Sequence, residues 1–74
     1  KNGKFIFEKE NIQNVMRKLA RWYDIEVQYS GDLPNVTFTG SISRFDDINK
    51  ILEKITYTSD IHFQIKERRI IVSQ

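Results

Sequence analysis

The stretch "DIEVQY" begins at Asp24, and "DIHFQI" begins at Asp60. Three of the six positions are identical and two more are apolar in both copies. The likeness continues upstream. Shifted by 36 residues, Ile12 meets Ile48, Val15 meets Ile51, Met16 meets Leu52 and Leu19 meets Ile55. Steps of three and four residues put each set on one face of a helix. The strands that follow alternate in polarity. Ile25, Val27 and Tyr29 face one way and Glu26 and Gln28 the other, while His62 and Gln64 take the outward phase of the second copy. A short strand precedes each helix. Lys4 to Glu8 is aromatic and β-branched, and Val36 to Gly40 alternates with Val36 and Phe38 inward. The expected order is β-α-β-β-α-β-β. One repeat spans about 4–29, a second about 36–65 with roughly five more residues before its helix, and an extra strand spans 69–73. Either duplication or convergence produces this pattern, because any amphipathic helix followed by a half-buried strand looks alike.

A chain of 74 residues makes one domain, 1–74. A domain this small buries only about 60% of its unfolded surface, and without Cys it has no disulfides to help. Each repeat alone has one helix stripe and too few strands to cover it, since a two-stranded ribbon is marginal in water. Two copies can cover each other. The sheets are therefore expected to be lined by Phe5, Phe7, Ile25, Val27, Val36, Phe38, Ile61, Phe63 and Val72 or Ile70. The chain begins at Lys1, and it reads as a piece of a longer protein.

Catalytic patterns are missing. His62, the single histidine, has no ligand-spaced partners and falls on the outward phase of its strand. Asp46 and Asp47 are adjacent, so on a helix their side chains point about 100° apart. They suit a helix start, where acids meet the positive end of the dipole. There is no nucleophile elbow and no phosphate-cradling glycine loop. The reading is of a non-enzyme with no cofactor and no metal. "NGKFIFEK" looks faintly like an RNA-recognition strand, but it precedes the first helix, where that motif would follow one. Net charge is only +2. A small nucleic-acid-binding α/β domain is the alternative, separable by a salt titration, since phosphate contacts weaken steeply with salt.

Arg17, Lys18 and Arg21 form a small basic face, either solvated or part of a partner surface. Trp22 and Tyr23 are consecutive, so one of them must rim the core with its polar tip in water.

At "RWYDIEV", Arg21 to Val27, the chain resembles the C-terminal domain of FecR-type anti-sigma factors of the Bacteroides group. "NGKFIF", "VTFTG", "DINKILEKI" and "IHFQIKERRIIVS" resemble further pieces of that family in the same order. The architecture is also similar to the short signalling domains of secretins and TonB-dependent transporters. The resemblance implies an α+β fold with both helices packed between small sheets. It also implies a periplasmic domain of an inner-membrane-anchored protein. Its partner would be the signalling domain of an outer-membrane TonB-dependent transporter. The sigma factor would be reached only through a cytoplasmic part outside this chain, with no nucleic acid and no membrane contact by this piece. The chain departs from the family pattern in two places. Asn11 stands where Pro is common, which leaves the start of the first helix open. Glu67 and Arg68 stand where Gly or Asn is common, which predicts a longer, looser final hairpin loop.

Partner binding is expected at an edge of the last strand, Arg69 to Ser73, if one side of it is unpaired. Ile71 points away from Ile70 and Val72. It lies either exposed beside His62 and Gln64 or covered by the first strand. The expected contact residues are His62, Gln64, Arg69, Ile71 and Val72, with Arg17 and Arg21 as the other candidate face.

Overall fold

Asn11 and Asp47 stand 36 residues apart and do the same work. Each is a helix N-cap whose side-chain oxygen accepts from the backbone N–H two residues on, Gln13 at 2.8 Å and Asn49 at 3.3 Å. Short Asn and Asp side chains suit this place because they satisfy donors that the first helical turn leaves free. The computed structural model describes residues 3–31 and 35–74. The middle of the expected Ser30–Asn35 turn and Asn2 of the opening Asn-Gly lie outside the described residues. The elements are β1 (Lys4–Asn11), α1 (Ile12–Tyr23), β2 (Glu26–Tyr29), β3 (Thr37–Ser43), α2 (Ile48–Thr58), β4 (His62–Lys66) and β5 (Arg69–Ser73). The order is the expected one. Asn11 in place of Pro leaves α1 starting at Ile12, whose N–H donates to the Val36 carbonyl at 3.0 Å.

The repeats interlock. Their first strands pair with each other as a two-stranded antiparallel sheet, β1-β3. Their second strands lie in a three-stranded sheet of order β2-β5-β4, where β5 separates them, parallel to β2 and antiparallel to β4. α1 packs on β1, β3 and β2, and α2 packs on β3 and β4. Each helix thus touches both sheets, as the α+β expectation had it. Val15, Met16 and Leu19 from α1 meet Ile51, Leu52 and Ile55 from α2 in one buried cluster. Phe7, Phe38, Ile42, Ile61, Ile70 and Val72 close it from the sheets. Phe5, Ile25, Val27, Val36 and Phe63 pack against the cluster half-buried.

Two expectations about strands fail. β3 does not end at Gly40 but runs to Ser43, because Phe5 and Lys4 pair with Ile42 and Ser43. Ile42 is therefore a core residue that a strand ending at Gly40 leaves out. Gly40 sits in the strand because of close approach: a Cβ there would lie 2.9 Å from the Phe38 ring. The final hairpin is also not long and loose. Lys66 pairs with Arg69 across a two-residue turn. Positive φ is needed only at Glu67, which takes 56°. A type I′ turn needs positive φ at both central positions, whereas a type II′ turn needs it at the first alone.

β1 carries one bulge. Its register slips between Phe7 and Glu10, where Lys9 takes a positive φ of 51° and donates its N–H to Thr39 Oγ1 at 2.9 Å. Such an irregularity makes an edge strand a poor template for a further strand. The open side of β3 is blunted from α2. Lys54 Nζ donates to the Ser41 carbonyl and Ser59 Oγ to the Thr37 carbonyl, at 3.1 and 3.0 Å.

Candidate functional site

The alternation of β2, β4 and β5 sorts their side chains onto two faces. Val27, Ile70, Val72 and Phe63 turn inward toward the core cluster. The register then sets three rows across the outward face. Glu26, Arg69 and Lys66 form one, Gln28, Ile71 and Gln64 the next, and Ser73 and His62 the last. Ile71 is thus a half-buried apolar residue at the centre of a polar surface. Arg69 Nε donates to Glu26 Oε1 at 3.3 Å, and Arg68 lies 3.4 Å from Asp24. Both ion pairs are exposed, so each is worth little stability. They tie the hairpin to the start of β2.

His62, Gln64, Arg69 and Ile71 therefore share one face, as expected of them. Val72 does not. It is fully buried on the opposite face, and its carbonyl accepts from Ser30 N–H at 2.8 Å. The expected free edge on the last strand does not exist either. β5 is the central strand, paired on both sides. β1 lies in the other sheet, so it does not cover Ile71. Arg17 and Arg21 are exposed on α1, apart from this face. Arg17 donates to Asn14 Oδ1 at 2.8 Å.

The three-stranded sheet has edge strands on both sides of Ile71, β2 and β4, and the β4 edge carries His62 and Gln64. A two-residue turn closes on a hydrogen-bonded pair, so His62, Gln64 and Lys66 give their main-chain groups to β5. Phe63 and Ile65 turn theirs outward. Ile65 is on the inward phase yet 46% exposed, because it stands at this margin. The sequence signals alternation in β2 and β4, but not that β5 would lie between them. Gln28 was for that reason missed as a neighbour of Ile71.

Consecutive Trp22 and Tyr23 divide their tasks. Trp22 stacks on Phe5 with ring centroids 4.3 Å apart. Tyr23 sends its hydroxyl to the β3–α2 loop, against the carbonyls of Arg44 and Asp46. Burial raises the Tyr23 phenol above its ordinary value, helped by the charges of Asp46 and Asp47. Asp24 ends α1 in the left-handed conformation, φ 53°. Among the described residues, no three His, Cys, Asp or Glu side chains come together as a metal site would require.

The family described as FecR, C-terminal, matches residues 4–72. The chain belongs to the FecR C-terminal family. Two crystal structures from Parabacteroides distasonis, each described as that of an anti-sigma factor, have the same fold. One is 22% identical with a TM-score of 0.83 and is matched over 96% of this chain. The other is 25% identical with a TM-score of 0.80 and is matched over 99% of it. This FecR C-terminal domain spans 34% of the length of each solved chain. No curated protein matches it.

Proposed function

We propose that this domain is a non-catalytic protein-interaction module of a transmembrane anti-sigma factor. It stands in the periplasm and binds the signalling domain of an outer-membrane TonB-dependent transporter. The loaded state of the transporter passes through it to a cytoplasmic sigma factor, which a part of the protein outside this chain holds. Membership of the FecR C-terminal family over residues 4–72 carries this reading. The outward face of the β2-β5-β4 sheet supports it. An apolar centre at Ile71, a polar surround and an adjoining open edge at β4 are what a partner strand can use.

Calorimetric titration with a purified transporter signalling domain tests both the partner and the surface. Ile71→Glu puts a charge at the centre of the face, and about tenfold or greater weakening is expected. Ile65→Pro removes an outward N–H at the β4 edge without taking a bond from the ladder, and it too should weaken binding. Circular dichroism checks that both variants fold. Wild-type affinity in both folded variants rules out this surface. Absence of binding by the wild-type chain rules out the transporter reading.

A further inference from the structure

The end of α1 and the β3–α2 loop enclose a cleft lined by Arg21, Trp22, Arg44 and Phe45. It shares no residue with the outward face of the three-stranded sheet, and binding there does not rest on the transporter reading. We propose that this cleft docks an acidic, extended segment of a partner protein that carries an apolar side chain.

Two observations specify the occupant. The first is charge. Arg21 and Arg44 line one cleft, and neither forms an ion pair among the described residues, where the pairs are Arg68–Asp24 and Arg69–Glu26. The acids in the adjoining loop are turned to backbone donors. Asp46 Oδ2 accepts from Ser43 N–H at 3.2 Å, and Asp47 caps α2. Two exposed arginines are left lining the same cleft, and their planar guanidinium forks match carboxylates.

The second is apolar surface held in place. Phe45 is 78% exposed, and the Arg44 guanidinium lies 5.6 Å from the centre of its ring. Trp22 forms the other aromatic wall, braced from behind by Phe5. The loop that carries Arg44 and Phe45 is pinned on several sides. The Tyr23 hydroxyl meets the Arg44 and Asp46 carbonyls, and Arg44 N–H donates to the Gly3 carbonyl at 2.7 Å. Phe45 N–H donates to Ser43 Oγ at 3.2 Å. Gly3 takes a φ of 73°, and a Cβ there would collide with both Arg44 and Phe45. A site held this way loses little freedom on binding. An acidic peptide uses both features, its carboxylates on the guanidiniums and its apolar side chain between the rings. A nucleic acid would need a longer run of cations to gain affinity from its phosphates, and this chain has a net charge of only +2.

Trp22 is the single tryptophan, so its emission reports directly on the cleft. The test titrates the chain with a panel of short Asp/Glu peptides bearing one Phe or Leu at successive positions. Lysine counterparts and a short oligo-dT are the comparison arms. The expected result is a saturable change in Trp22 emission with acidic peptides, weakened several-fold at high salt and absent with the lysine series. Arg21→Gln and Arg44→Gln should each weaken binding about tenfold or more. Phe45→Ser, which removes an exposed ring and leaves the core untouched, should weaken it as well. The proposal is overturned if no acidic peptide saturates, if lysine peptides bind as well, if oligo-dT alone binds, or if folded arginine variants bind as wild type does.

Discussion

Asp24 and Glu67 occupy backbone positions that glycine would take without strain. Their φ values are 53° and 56°, and a Cβ makes this region cost about 1–2 kcal/mol. Asp24 also faces Arg68 at 3.4 Å, so its replacement mixes two effects. Glu67 has no such pair among the described residues. Glu67→Gly should therefore stabilise the domain by about 0.5–1 kcal/mol, the strain relieved outweighing the freedom glycine adds to the unfolded chain. Thermal melting should show a rise of a few degrees. Tyr23 acts through its hydroxyl. Tyr23→Phe leaves the loop carbonyls of Arg44 and Asp46 without that donor and should cost about 1 kcal/mol. The effect depends on pH. Burial, then Asp46 and Asp47, raises this phenol above 10.0. Its contribution is whole below the unfolded value and is lost as pH climbs through the higher folded one. Melting curves of wild type and Tyr23→Phe should differ at pH 8 and converge at strongly alkaline pH.

The two helices are built alike at the scale of the element. Each has a short polar cap, an apolar stripe and a following strand at the same spacing. Asn11→Ala and Asp47→Ala should each cost about 1 kcal/mol, read as a lower urea midpoint with an unchanged slope. The first strands differ because their surroundings differ. β1 reaches its helix with no connection and absorbs the mismatch in a bulge at Lys9. β3 is followed by a four-residue connection that Tyr23 holds. These additional residues, which the repeat comparison places only as an insertion, create the cleft wall at Arg44 and Phe45.

The whole molecule depends on β5. It follows both repeats in the chain yet lies at the centre of the larger sheet, with Ile70 and Val72 buried. Truncation before Arg69 would leave β2 and β4 without their common neighbour. The expected outcome is loss of cooperative unfolding, followed by calorimetry. Burial also ranks the aromatic residues. Phe38→Ala removes a fully buried ring and should cost about 3–5 kcal/mol, enough to unfold a domain of this size. Phe63 is only half-buried at the β4 margin. Phe63→Ala should cost clearly less and remain folded, a comparison that a denaturant titration of the two variants settles.

Periodicity is a property of the chain alone, and it was enough for the element order, the two helix stripes and the phase of every strand. Asp24 to Tyr29 and Asp60 to Ile65 resemble each other because both leave a helix and enter a half-buried strand. Alternation states which way a side chain points, and says nothing of which strand lies beside it. That choice is made by loop closure and by the burial of the whole core. Only tertiary structure therefore decided that β5 separates the second strands of the repeats. The same cause paired β5 on both sides, set Gln28 beside Ile71 and left the open edges to β2 and β4. Arg21 and Arg44 stand 23 positions apart in the chain. They line one cleft because the Tyr23 hydroxyl draws the second repeat's loop against the end of the first repeat's helix.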